Sequence, residues 1–245
     1  MSLIEDWANS YGSTGRDTGH GIATDSNGNV YLTGLFDGSM NVGSYTLASN
    51  GSYDIFVIKL DTGDNVVWAK SYGGDFGDTG HGIATDSNGN IYLTGQFSGS
   101  MAVGSLPNSP LTSNGGSDIF VMKLDTDGDE KWAKNYGGTS ILSNATSRGI
   151  ATDSSGNVYL TGFFDFTTML IGTLTNSPLT SNGGNGEIVV MKLDTNGDNV
   201  PVVSILADII GVPHHFLGEY LKENSLSKVT EDRLFIVERF GRIST

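Results

Sequence analysis

Short apolar runs, alternating with polar positions and cut by clusters of Gly, Asn, Asp and Ser, fill residues 1–200. The first run, GIATD at 21–25, is followed by Ser26-Asn27-Gly28-Asn29, which tolerates the positive φ of a tight hairpin turn. In residues 30–36, Tyr31 and Thr33 alternate with Val30 and Leu32. A Gly/Ser/Asn-rich connection leads to a third run, where Ile55, Val57 and Lys59 alternate with Phe56, Ile58 and Leu60. Asp61-Thr62-Gly63-Asp64 then turns the chain into 66–72, which carries Trp68. Strand, turn and strand without a helical period predict four antiparallel strands and an all-β unit.

That unit recurs. Residues 17–29 and 78–90 share the string DTGHGIATDSNGN, and 145–157 read ATSRGIATDSSGN. Trp7, Trp68 and Trp132 open a second marker at spacings of 61 and 64. DIFVIKLD at 54–61 returns as DIFVMKLD at 118–125 and EIVVMKLD at 187–194. The period is 61 to 69 residues, and longer loops such as 105–116 absorb the variation. A repeat holding a four-stranded meander predicts β-propeller blades packed face to face. A sandwich does not need copied units, and a β-solenoid has far shorter rungs. Gly-Ile-Ala-Thr suits a crowded inner strand, while the strand with Trp and Lys suits an outer edge. The predicted blades span about 17–74, 78–138 and 145–200.

Composition narrows the classes. With 35 glycines, 5 prolines and no Gly-X-Y period, the chain is neither helical nor collagenous. Residues 1–200 carry 8 Lys/Arg against 21 Asp/Glu, so the repeat region holds nearly all of the net charge of −14. Such a surface repels phosphate backbones and anionic lipid, which argues against nucleic acid and membrane as partners. The absence of cysteine excludes disulfides and thiolate chemistry. Met1 to Asp6 lack the basic and apolar regions of a signal peptide. This leaves a cytosolic protein or one whose leader has been removed.

The strings GGDFGDTGHGIATDSNGNIYLTGQFSGS at 73–100 and GGSDIFVMKLDTDGDEKWAKNYGG at 115–138 resemble the SBBP (seven-bladed β-propeller) repeats of bacterial and archaeal surface proteins. The resemblance covers about residues 6–200. It implies a propeller in an extracellular or cell-surface setting, and it carries no catalytic residues with it.

Beyond Val200 the pattern calls for a further Trp-Ala-Lys strand, but the chain reads Pro201-Val202-Val203-Ser204-Ile205-Leu206. Glycine falls from 32 in residues 1–200 to 3 in 201–245. A short α/β tail is expected there. Residues 202–206 suit an outer strand, 213–224 a helix with Phe216, Leu217, Tyr220 and Leu221 on one face, and 234–237 a strand. DRLFIVERFGRI at 232–243 is similar to the first strands of quinoprotein sugar-dehydrogenase propellers.

Candidate chemistry is sparse. His20, His81 and Arg148 hold one place in the three copies, just before the inner strand, beside Asp17 and Asp78. Either they rim the mouth of the central channel as a pH-sensitive ligand site, or duplication copied the histidine along. Asp125, Asp127 and Asp129 place oxygens at alternate positions, as a calcium loop begins, but the distal bidentate Glu is absent and a hairpin turn explains them as well. His214-His215 beside a helix start suit an exposed position better than ligation. No nucleophile elbow or Ser-His-Asp set emerges, so no catalytic residue is assigned.

Three functions remain: a non-enzymatic binding or scaffold module, a propeller enzyme (hydrolase or quinoprotein-like) with its site at the channel mouth, and a self-assembling array. The missing fourth strand and the spare strand at Trp7–Gly12 are complementary. They point to a homodimer closing a six-bladed ring, or to the rest of a longer propeller. No cofactor is expected beyond weak calcium. Melting in calcium and in chelator should therefore differ by much less than about 3 kcal/mol of linked stabilisation, as differential scanning calorimetry will show.

Overall fold

The computed structural model describes residues 7–165, 168–171, 179–181 and 186–198. The tail strands, the helix 213–224, His214-His215 and the quinoprotein-like string lie outside them, as does much of the third long connection. Among the described residues no helix is long and apolar enough to cross a membrane.

Two four-stranded antiparallel meanders come first. Blade one comprises β1 (Thr18–Thr24), β2 (Val30–Val42), β3 (Tyr45–Leu60) and β4 (Val66–Tyr72). Blade two comprises β5 (Thr79–Thr85), β6 (Ile91–Met101), β7 (Leu111–Leu124) and β8 (Glu130–Tyr136). Blade three is three-stranded among the described residues: β9 (Ala145–Thr152), β10 (Val158–Phe164) and β13 (Glu187–Leu193), in the order β13-β10-β9. A two-stranded hairpin, β11 (Thr168–Met169) with β12 (Leu179–Thr180), stands between the last two. The chain is thus all-β, built of propeller blades whose inner strands β1, β5 and β9 lie side by side.

The long connections of blades one and two are largely strand. β2 and β3 run on past Phe36↔Asp54, through a bulge at Asp37–Ser39, to a hairpin tip at Val42↔Tyr45. Met40, Val42 and Leu47 are buried by folding this extension back on Phe36, Phe56, Ile58 and Leu60. Asp25, Asp86 and Asp153 organise the predicted tight turns. Each carboxylate accepts two backbone N–H groups of its own turn, for example Asn27 at 2.9 Å and Asn29 at 3.0 Å for Asp25. Each also accepts a tyrosine hydroxyl of the next strand, at 3.0 Å from Tyr31 in the first case.

The third strands of blades one and two, β3 and β7, are apolar on both faces because they are covered on both faces. Ile55 and Val57 look forward and pack with Trp68, Tyr31 and the rear face of blade two, where Ile83, Leu93, Phe120 and Met122 lie. Ile119 and Val121 look forward from blade two into Val189, Met191 and Leu193 of blade three. Each fully buried Ile or Val contributes about 1.5–3 kcal/mol. Polar contacts fix the stacking register. Lys59 Nζ and Trp68 Nε1 both donate to the Thr126 carbonyl in the β7–β8 turn, at 2.8 and 3.3 Å. Lys123 Nζ and Trp132 Nε1 donate likewise to Thr195, at 3.3 and 3.1 Å. Along the inner strands, Thr85 Oγ1 donates to Thr24 O and Thr152 Oγ1 to Thr85 O, each at 2.8 Å.

The indole leaves no room beneath it. A Cβ on Gly128 (φ +84°) would lie 3.0 Å from the Trp68 ring, and one on Gly197 2.8 Å from Trp132. In blade one the glycine sits one residue early, so Asp64 takes the left-handed conformation at φ 68°. There Asn9 bonds its carboxylate at 2.6 Å, and Trp7 is left 46% exposed. Asp64→Gly should raise unfolding stability by about 0.5–1 kcal/mol by removing the strained φ, whereas Gly128→Ala should lower it by more than about 1 kcal/mol. Urea titrations of the two variants check both signs.

Candidate functional site

The three repeat positions singled out in the sequence do come together, but within the inner strands and not ahead of them. His20 lies in β1 between Gly19↔Gly34 and Gly21↔Thr33, as the extra residue of a β-bulge. His81 is the extra residue between Gly80↔Gly95 and Gly82↔Thr94, and Arg148 between Ser147↔Gly162 and Gly149↔Thr161. A bulge leaves one residue unpaired and re-aims its side chain. Its bent backbone presses on the neighbouring strand: a Cβ on Gly34 would lie 1.9 Å from Thr18 O, and one on Gly95 1.9 Å from Thr79 O. Each Leu-Thr-Gly of the second strand thus carries the glycine that lets the first strand bulge.

The side chains form a file across successive blades. The imidazoles of His20 and His81 stack at 5.1 Å between centroids and 29° between planes. His20 donates from Nδ1 to the Gly80 carbonyl at 2.9 Å, so it also ties blade one to blade two. Nε2 of His81 is buried without a partner. Burial first, then the charges of Arg148 and His20, push the His81 pKa down to about 4, so this ring is neutral at pH 7. Arg148 is exposed and lies over the Phe163 ring with Cζ 5.9 Å from its centroid. The file therefore presents one fixed cation and two imidazoles on an otherwise acidic chain. A guanidinium beside imidazole donors suits an anionic group.

Neither Asp17 nor Asp78 bonds a histidine among the described residues. Asp17 accepts from Ser13 N at 2.6 Å and Ser13 Oγ at 2.9 Å. Asp78 is wholly buried and accepts from Gly74 N at 2.8 Å and Ser98 N at 3.1 Å, closing the passage between blades. The possible calcium ligands do not converge either. Asp125 Oδ1 accepts from its own turn, Asp127 N at 3.0 Å and Asp129 N at 2.9 Å, and its other oxygen pairs with Lys131. Among the described residues no group of three His, Cys, Asp or Glu is placed to hold a metal.

A second cluster has little signature in the sequence. Asp54 is fully buried near Asp78, accepts from Asn50 N at 3.0 Å, and has an unpartnered Oδ1. Burial pushes the Asp54 carboxyl up to about 6 against the bonds from Asn50. Burial pushes Asp78 up to about 7, with the Asp54 charge adding to it against two amide donors. Asp118 repeats the Asp54 arrangement in blade two, where Ala145 stands in place of Asp78 and Asp165 accepts from Asn144 N instead. The only sequence signal was an acid opening an apolar strand, in DIF at 54–56 and 118–120.

A family model described as SBBP, beta-propeller repeat, matches residues 7–35, 67–96 and 131–162. Each match starts at or beside a Trp position and ends on the second strand of the next blade, so it takes in that blade's bulge. An uncharacterized WD repeat-containing protein of Acanthamoeba polyphaga mimivirus is 30% identical over 161 residues, which are 59% of this chain and 11% of that protein. The chain spans about a tenth of that relative's length. A crystal structure of a protein of unknown function from Bacteroides caccae aligns with 74% of this chain and 80% of its own, at 10% identity and a TM-score of 0.27.

The buried acids set a pH dependence. Asp54 and Asp78 bind protons more tightly folded than unfolded, so their stabilisation is full below about pH 4 and is lost as pH rises. The loss runs through about 6 for Asp54 and about 7 for Asp78. His81 has the opposite sign: its contribution is full above about pH 6.5 and is lost as pH falls toward its folded value. Asp54→Asn should therefore gain melting temperature relative to wild type as pH rises from 4 to 7, the difference shrinking to its smallest at pH 4. Thermal scans across that range check the slope, and a difference independent of pH would contradict it.

Proposed function

The chain belongs to the SBBP beta-propeller repeat family, and from that premise we propose a non-enzymatic binding or scaffold module of a bacterial or archaeal surface or secreted protein. The carrying observation is the file of bulge residues His20, His81 and Arg148, delivered by one position of three successive blades. Its chemistry fits a carboxylate or another small anion held by Arg148, at the end of a file in which His81 stands between it and His20. The propeller repeats and the WD-repeat relative support a scaffold of this kind. The rival reading, an enzyme, finds its most perturbed acids in Asp54 and Asp78, but these are fully buried at a blade junction, away from any substrate.

Equilibrium dialysis against a panel of small carboxylates and phosphate tests the reading. Arg148→Ala should remove at least tenfold of the affinity and leave the melting temperature unchanged, because the side chain is exposed. Replacing His20 and His81 together by Ala should also lower stability by about 0.5–1.5 kcal/mol, the worth of the hydrogen bond to Gly80. Retained affinity in Arg148→Ala would move the site elsewhere.

A further inference from the structure

The blade contacts repeat so regularly that the two terminal faces can be compared with the interior ones, position by position. Ile188 and Val190 of β13 occupy the places of Ile55 and Val57 in β3 and of Ile119 and Val121 in β7. The four interior residues are 0% exposed, whereas Ile188 is 62% and Val190 48% exposed. At the other end, Ile22 of β1 occupies the place of Ile83 in β5 and is 67% exposed against 7%. The forward face of blade three and the rear face of blade one are thus the two halves of one interface that the chain makes twice internally.

The polar groups match as well. Lys192 lies 5.2 Å over the Tyr159 ring, as Lys59 lies 5.5 Å over Tyr31 and Lys123 5.3 Å over Tyr92. The latter two lysines reach the threonine carbonyl of the following blade's turn, Thr126 or Thr195. The corresponding carbonyl of blade one belongs to exposed Thr62. Inner-strand Thr152 offers its carbonyl where Thr24 and Thr85 have theirs taken by a threonine hydroxyl, and the Thr24 hydroxyl is the matching donor.

A segment is also left over. Residues 7–12 lie against blade one as β4 lies against blade two: Gly12 bridges Asn41 as Gly73 bridges Ala102. Yet among the described residues they belong to no ladder, and β13 has a ladder only on its β10 side.

We propose that a second copy of this chain docks its blade one, together with its residues 7–12, on the forward face of blade three. Transferring the β3–β4 register, Ile55↔Tyr72, Val57↔Lys70 and Lys59↔Trp68, pairs Ile188 with Tyr11, Val190 with Asn9 and Lys192 with Trp7 of the second copy. The second copy supplies blade three with its fourth strand, its Ile22 takes the position of Ile83, and its Thr62 carbonyl receives Lys192. Two such contacts join two chains into a closed ring of six blades with two-fold symmetry, within the range of about four to eight blades of ordinary propellers.

Light scattering on the full chain at micromolar concentration should give the mass of two copies. Val190→Asp should reduce it to one copy without changing the far-ultraviolet circular dichroism. The chain lacks cysteine, so a second measurement is clean. Asn9→Cys in one preparation, mixed with Val190→Cys in another and oxidised, should give a cross-linked pair, because directly opposed strand residues lie about 4.5–5.5 Å apart. Asn9→Cys with Ile188→Cys, one pair out of register, should cross-link at least tenfold less. A one-copy mass for the wild-type chain overturns the proposal, as does a two-copy mass that survives Val190→Asp with no 9–190 cross-link. Either result is independent of anion binding, which Arg148→Ala reads separately.

Discussion

The blades are held in order by a carbonyl. The Thr126 oxygen receives both the ammonium of Lys59 and the indole N–H of Trp68, and Thr195 does the same for Lys123 and Trp132. Apolar packing between flat sheets tolerates sliding, because burial is nearly proportional to area and indifferent to direction. A charge-assisted hydrogen bond to one oxygen is not indifferent, since a slip of one residue would leave an ammonium without its acceptor. The turn that offers the carbonyl must also pass under an indole, and Gly128 and Gly197 meet that demand. Stacking, turn chemistry and the Trp strand are therefore one constraint expressed at three places in each repeat.

Much of this was legible in the letters. The apolar alternation of 55–60 marks both faces of a strand that is covered on both, and Ile55 and Phe56 indeed enter different clusters. Gly38, Gly43 and Gly51 punctuate the connection 37–53 and hide its strands. Met40, Val42, Tyr45 and Leu47 nevertheless keep a period of two on either side of Gly43-Ser44, which is the signal of the hairpin that forms. The outer strand expected at 202–206 and the rest of the tail lie outside the described residues.

The site was legible by position and not by mechanism. A repeat comparison is enough to find His20, His81 and Arg148, but a bulge is a property of two paired strands and has no one-strand signature. Asp17 and Asp78 stand three residues from the histidines in the sequence. In a strand that distance places side chains on opposite faces, and the bulge alters the count once more. The Asp54–Asp78 cluster was missed for the reverse reason: its members are 24 positions apart and meet only across a blade junction.

The bulge separates two jobs that a regular strand would combine. Before and after it, β1, β5 and β9 keep their ladders with the second strand, and the packing of Ile83 and Ile150 is untouched by what the extra residue carries. His, His and Arg occupy that residue without any change in the surrounding architecture. The position behaves as a socket: its contents can be exchanged blade by blade while the frame stays fixed. The row of groups along the inner strands can thus be revised one substitution at a time, at a cost to folding limited to what each group itself contacts, as His20 does at Gly80.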